Sequence, residues 1–398
     1  MQKIVNKTPT ENIINSSDPM GQRRSVLEKK LHIKLDSIEN PSFNVDDVST
    51  KNCENLIGKV DIPLGVAGPL TVRGKYAQGN YYIPLATTEG ALVASVNRGC
   101  KAATSAGGVS VAIVKSEMTR APVFCVNSYN EAQAFIKFVQ KNITRIEKLV
   151  TETSPFIKLI AIDPYISGRN VYLRFRFDTN DAMGMNMATF ACDHVIRKFL
   201  LPKTQVNCIS LSGNVCTDKK PAWINKLHGR GHTVHAEVVI PKNILVKTLK
   251  TTSQKIYEVY VRKLLIGSQV AGAMGVNAHH VNVVAAIFAA TGQDLAHVVE
   301  GSLGTTSIEA DNSNLYISVD LPSLILGTIG GGTNLSSQSQ ALSIMGIAGS
   351  GKPSGTNAKK FAEIVASAVL CGELSLLAAL SSNDLAKAHM KYARGGQV

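Results

Sequence analysis

The chain has 398 residues, of which 44% are hydrophobic and 18% charged, with 32 glycines. That length and apolar content suit large buried cores in more than one domain and exclude a disordered chain. A formal net charge of +13 favours an anionic partner, but the basic residues are dispersed and aromatics make up only 6%, which argues against nucleic-acid binding by base stacking.

Residues 1–57 are polar with helical patterning around 22–34, which predicts a small helical lead-in. From 58 the texture becomes Gly- and Pro-punctuated, GKVDIPLGVAGPLTV then NYYIPLATTEG, as expected of short strands joined by tight turns. A helix, GALVASVNRGCKAATSAG, is expected directly after Glu89. Residues 122–211 read as a unit: strand PVFCV, a helix opened by Ser128 and Glu131 in capping-box spacing, strands FIKLIAIDPYIS and NVYLRFRFD, helix DAMGMNMATFACDHVIRKFLL and strand QVNCISL. That order, βαββαβ, is the ferredoxin-like pattern, inserted in a larger domain formed by 58–121 and 212–398. The fold class is therefore α/β (α+β), helix-rich after residue 247. The most apolar stretch, FAEIVASAVLCGELSLLAAL, carries Glu363 and Glu373 and reads as a core helix, not a membrane span. Seven scattered cysteines lack a CxxC pair and no apolar leader follows Met1, so free thiols in a soluble, cytoplasmic protein are expected.

Two motifs are decoys. GIAGSGKP nearly spells a phosphate loop, but Pro353 stands where the magnesium-binding hydroxyl belongs. In LHGRGHTVH, Gly229 and Gly231 deny His228, His232 and His235 the helical spacing of a zinc site, and no metal is expected. Four motifs place an ionisable group at a constrained backbone site: Glu89 in TTEG, Lys219 and Lys220 after Asp218 in TDKKP, Asp294 in TGQD, and His389 in AKAHMKYAR. Each alone is as well explained by a solvated turn or a charge at a helix end. No GxGxxG follows a strand, yet DAMGMNM opens a helix whose N-terminus suits a pyrophosphate, and GTIGGGT offers approachable amides.

Jointly these stretches resemble a known family. ENLIGKVDIPLGVAGPL, PLATTEGALVASVNRGC, DAMGMNM, SGNVCTDKKPAWIN, NAHHVNVVAAIFAATGQD, GTIGGGT and LCGELSLLAAL follow the order of 3-hydroxy-3-methylglutaryl-coenzyme A (HMG-CoA) reductases with the eukaryotic-type catalytic domain, from about residue 53 onward. The resemblance implies a soluble form that reduces HMG-CoA to mevalonate and coenzyme A with two reduced nicotinamides, NADPH with NADH as the other candidate. It implies Lys219 as the cation facing the oxyanion, His389 as the proton donor to the leaving thiolate, Glu89 as a desolvated proton donor to the aldehyde, and Asp294 between lysine and glutamate, coupled to the latter. Arg120, Ser212, Asp218, Lys220 and Asn282 match contacts to the hydroxymethylglutaryl part, and Ser95, Asn97, Arg98 and Lys263 fall near the coenzyme A site. Asp181, Met183, Gly184, Met185 and Asn186, with Gly330, Gly331, Gly332 and Arg394, match the cofactor site on the 122–211 unit. Catalytic groups shared across at least a homodimer, expected as a homotetramer, are also implied. In Ser154-Pro155-Phe156 the middle position departs from the basic residue of the family pattern beside the adenosine 2′-phosphate, and no serine or threonine follows His389. An acyl-coenzyme A lyase or transferase and a basic anion-binding protein are the rival readings.

Overall fold

The computed structural model describes residues 19–311 and 313–382. The lead-in is helical as expected. Helix α1 (Met20–Leu31) is anchored by buried Arg23, whose Nε donates to the Leu56 carbonyl.

The larger core surrounds one helix. Strands β1 (Leu64–Arg73) and β2 (Gln78–Ala86) form a hairpin, and α2 (Leu92–Ser105) follows after Ala91 takes a left-handed turn. This start lies further from Glu89 than the sequence predicts, because residues 87–91 form a turn. Strand β3 (Val109–Arg120) then crosses the molecule. Its first two residues run parallel to β1, and Ser110–Glu117 pair antiparallel with β8 (Gly231–Pro241). The sheet continues through β10 (Asn314–Leu324) to β9 (Thr305–Ala310).

The smaller core is built on the far end of β3, where Met118–Arg120 pair with β6 (Asn170–Asp178). Strand β4 (Val123–Cys125), helices α3 (Tyr129–Lys141) and α4 (Ile143–Thr153), β5 (Lys158–Ser167), β6, α5 (Met185–Val195) and β7 (Asn207–Ser210) reproduce the predicted element order. Pairing in the order β7-β4-β6-β5 is the ferredoxin-like arrangement. Ser128 accepts from the Glu131 amide and Glu131 reaches back to the Asn127 amide, as the capping-box spacing requires. The single helix predicted after Ser128 is two, broken at Asn142, whose side-chain amide donates to the Phe138 carbonyl and competes with the helical ladder. Phe124, Phe135, Phe175 and Phe177 fill the space between sheet and helices.

After α6 (His280–Thr291), the long helix α7 (Thr356–Ser381) runs through the larger core. By length and composition it could cross a membrane, but 83% of its most apolar window is buried inside the fold. Its two acids are paired within the protein. Glu363 accepts from the amides of Lys75, Tyr76 and Ala77, and Glu373 from those of Ala278 and His279 and from the Thr306 hydroxyl. Gly99 lets α2 cross it at backbone distance, since a Cβ there would sit 1.9 Å from the Cys371 carbonyl oxygen.

Candidate active site

Three of the singled-out stretches, DAMGMNM, GTIGGGT and TGQD, meet between the two cores, joined through backbone groups and one glutamine side chain. The amide of Thr328, in GTIGGGT, donates to the Asp181 carbonyl at 2.8 Å, and Ala182 bridges to Ile329. Gln293, in TGQD, accepts the Gly327 amide at 2.9 Å. A Cβ at Gly292 would lie 2.3 Å from the Gly332 carbonyl oxygen, so only glycine allows these two turns to touch. Together they line an open cavity of about 770 Å³, whose walls include Met183, Gly184, Met185, Asn186, Gly330, Gly331, Gly332 and, at one end, Asp294. Residues 58–62, inside the ENLIGKVDIPLGVAGPL stretch, close another side together with Cys53 and Phe43, a wall for which the sequence assigned no contact.

This cavity suits a dinucleotide. Gly330 and Gly331 have positive φ and nothing within 4 Å of where a Cβ would project, so a ligand can approach their backbone. Met185 opens α5 directly after Gly184, which takes φ 90. Asp181 departs from the expectation. It is fully buried and lies behind the wall, its carboxylate taken up by Ser350 Oγ and the amides of Gly351, Gly355 and Ala358. Burial pushes this carboxyl up, but those four donors outweigh it and hold it below the usual carboxylate range. It anchors the GSGKPSG loop and the start of α7, which is the task that the phosphate-loop lookalike performs.

The DKKP loop is shaped by backbone conformation. Asn214, Thr217 and Lys219 are all left-handed, with φ 65, 56 and 56. Such non-glycine residues cost about 1 kcal/mol or more each and persist only where neighbours hold them. The Thr217 hydroxyl donates to Asn225 Oδ1. The Lys219 amide donates to Glu300 Oε1 at 2.6 Å, and its ammonium reaches Asp294 Oδ2 at 2.8 Å, with both side chains partly open to solvent. The hydrogen bond to Asp294 raises the lysine above its usual range, so it remains a cation through neutral pH. Partial burial pushes Asp294 up, but the Lys219 ammonium, the Ala296 amide and His297 together hold it low.

Beneath the loop lies a network that the motifs did not announce. Arg230 is fully buried and bonds Glu300 Oε1 at 2.9 Å, Asp218 Oδ1 at 3.1 Å and Thr119 Oγ1 at 3.1 Å. His297 donates from Nδ1 to Glu300 Oε1 at 3.3 Å, while its Nε2 lies 3.7 Å from Asp294 Oδ2. Asp218, His297 and Glu300 converge closely enough to chelate a cation. The Arg230 guanidinium already bridges both carboxylates, so the positive charge at this point is the arginine's. Removing one partner of such a buried pair costs about 3–5 kcal/mol.

The other candidates distribute as follows. Arg120, at the end of β3, lies 3.9 Å from Asp218 Oδ2, and its buried Nε has no partner among the described residues. Lys220 is exposed and folds back on the Asp218 carbonyl, and Ser212 contacts Cys216 Sγ at 3.3 Å. Asn282, at the start of α6, donates to both oxygens of Glu89 at 2.9 and 3.2 Å. Within one chain Glu89 is exposed and makes no bond to Lys219 or Asp294 among the described residues, so the expected carboxylate pair is not formed there; Asp294 couples to lysine instead. Asn97 and Arg98 line a groove of about 440 Å³ with Lys101 and Lys247, where Asn97 holds the Gly68 amide and Arg98 and Ser95 hold Ser375. Lys263 lines a different groove, beside Arg262 and Leu380. His389 and Arg394 lie outside the described residues.

Comparison with known proteins adds the decisive observation. The family model for hydroxymethylglutaryl-coenzyme A reductase matches residues 19–394. The chain belongs to this family. It is 52% identical over 374 residues to the 3-hydroxy-3-methylglutaryl-coenzyme A reductase of Pyrococcus horikoshii, covering 94% of this chain and 91% of that protein. To the reductase of Methanothermobacter thermautotrophicus it is 48% identical, again over 374 residues, covering 94% of this chain and 93% of that protein. Among solved structures, the reductase of Streptococcus pneumoniae superposes with a TM-score of 0.67 at 18% identity, covering 92% of this chain and 98% of that one, a likeness of fold. A class II structure from the same organism, bound to NADPH, gives 0.64 at 19% identity over 92% of this chain and 98% of that one. The family membership accounts for the motif order, and the fold likeness extends through both cores.

Proposed function

We propose that this reductase converts HMG-CoA to mevalonate and free coenzyme A, using two reduced nicotinamides bound in the cavity between the cores. The observation that carries the reading is the Lys219–Asp294 pair at 2.8 Å, with Asp294 on the wall that also includes Met183–Asn186 and Gly330–Gly332. When bound, the cofactor supplies hydride. The chain's residues do the remaining work.

Lys219 faces the oxygen that gains negative charge as the thioester is reduced, and a fixed cation there is commonly worth about 3–4 kcal/mol of barrier. Its raised pKa makes it an electrostatic stabiliser, not a base. Asp294 aims the ammonium. Glu89, held by Asn282, delivers a proton to the developing alkoxide, and His389 protonates the departing thiolate. Arg120, beside Asp218 and with no partner for its Nε among the described residues, suits the carboxylate end of the substrate, together with Ser212 and Lys220. The basic groove at Asn97, Arg98, Lys101 and Lys247 suits coenzyme A phosphates, with Ser95 behind it.

The reading also takes 122–211 as the cofactor-binding unit, set between 58–121 and 212–398. It further takes the active species to be a homodimer at least, working in the cytoplasm. Glu89 is exposed and unlinked to Lys219 in one chain, and the helix after the DKKP loop exposes Trp223 by 59% and Leu227 by 76%, which supports a site completed by a second copy. NADPH is the expected donor, and the absence of a basic side chain at Pro155 brings NADH into the comparison.

The test is oxidation of NADPH and of NADH, each with and without HMG-CoA, by the parent and by Lys219→Ala. Thioester-dependent oxidation by the parent and a loss of about 100-fold or more in the variant are expected. Near-normal turnover without Lys219 would refute its role.

A further inference from the structure

We infer that Glu300 is a positioning residue for Lys219: its Oε1 holds the lysine's backbone amide in the left-handed turn from which the ammonium reaches Asp294, and buried Arg230 fixes that carboxylate in place. The inference rests on the reading of Lys219 as the oxyanion's cation.

Lys219 has φ 56, a conformation a non-glycine residue keeps only under constraint. The constraint is visible. Glu300 Oε1 accepts three donors, from the Lys219 amide at 2.6 Å, Arg230 Nη1 at 2.9 Å and His297 Nδ1 at 3.3 Å, while Oε2 has no partner among the described residues. Glu300 and Arg230 are both fully buried, so neither carboxylate nor guanidinium can drift into solvent. Arg230 in turn grips Asp218, the residue before Lys219, and Thr119 near the end of β3. The turn from Asp294 to Glu300 thus holds Lys219 at two points, the side chain through Asp294 and the backbone through Glu300. With the amide released, the lysine can relax to right-handed backbone, and the ammonium then leaves Asp294. A misplacement on the order of 1 Å at a reacting centre costs about 100-fold.

A buried ion pair that only stabilises the fold would have a different signature. Glu300→Gln keeps the carbonyl oxygen that accepts from the Lys219 amide, whereas Glu300→Ala removes it, and both lose the charge opposite Arg230. The full chain carrying each substitution is measured for thermal midpoint, for kcat, and for KM toward HMG-CoA, alongside Lys219→Ala. Both variants should melt lower than the parent. The alanine variant should lose about 100-fold in kcat with KM changed less than about threefold, and the glutamine variant should recover to within about tenfold of the parent.

Three outcomes overturn the proposal: parental kcat per folded molecule in the alanine variant, equal losses in both variants, or a rise in KM with kcat intact. If the alanine variant does not fold, Glu300→Asp replaces it, because shortening by one methylene withdraws the oxygen from the amide. Slower turnover than the glutamine variant supports positioning, and equal or faster turnover overturns it. An inactive Lys219→Ala beside an unimpaired Glu300→Ala removes the positioning role alone, whereas an active Lys219→Ala removes the reading of Lys219 on which it stands.

Discussion

Asp181 provides the sharpest test of the geometry, because the family resemblance assigns it to the cofactor and the structure gives its carboxylate other partners. In Asp181→Asn one oxygen becomes a donor. If the remaining oxygen keeps Ser350, Gly351 and Gly355, the new amide faces the Ala358 N–H, and a buried donor meets a donor. One charge-assisted bond is lost, three others fall to neutral strength, and the anion at the start of α7 disappears. At about 1.5–3 kcal/mol for a charged bond against about 1 for a neutral one, the loss should be about 3–5 kcal/mol.

The assay is denaturant unfolding of the unliganded protein, together with KM for NADPH. The expected result is a lower midpoint with KM changed less than about threefold. The sign with pH follows from the carboxyl's depressed folded-state pKa. Its stabilisation is complete above the unfolded value, about 3.9, and is lost as pH falls through the lower folded value. The gap between parent and variant should therefore be constant from about pH 5 to 8 and narrow in stronger acid. Unchanged stability with a tenfold rise in KM would show that Asp181 faces the cofactor and that the reasoning is wrong.

Asn282→Ala removes the side chain that, among the described residues, holds both Glu89 oxygens, and should lower kcat about tenfold with little loss of stability; steady-state kinetics that match the parent would break that link. His232 and His280 are both pushed down to about 4 by burial, so the unfolded chain takes up their protons first as pH falls. The thermal midpoint should decline by several degrees from about pH 6.5 to 4, and a flat profile would contradict neutral burial of these rings.

Local signals carried much of the architecture into view. The capping box at Ser128, the alternation in 158–178 and the acids of α7 each act over a few residues, and periodicity reads them directly. What the sequence hid depends on convergence. Glu300 and His297 sit in LAHVVEGS and Arg230 beside a decoy set of histidines, and nothing in their spacing says that they meet under Lys219. The direction of Asp181 was hidden because its partners lie about 170 residues away. Gln293, by contrast, lies inside the TGQD motif, and its neutral side chain gives no sign in the sequence that it holds the Gly327 amide.

Strand β3 bonds to β8 along one stretch and to β6 at its end, with Arg120 as its last residue. No slack tether lies at that junction: the two lobes share a continuous rod of peptide. A single-residue insertion near Glu117 would turn Met118, Thr119 and Arg120 to opposite faces at once. It would thereby unseat a phenylalanine-filled interior and swing the guanidinium away from Asp218 in the same stroke. Length at this point is therefore held by pairing on both sides, to β8 and to β6.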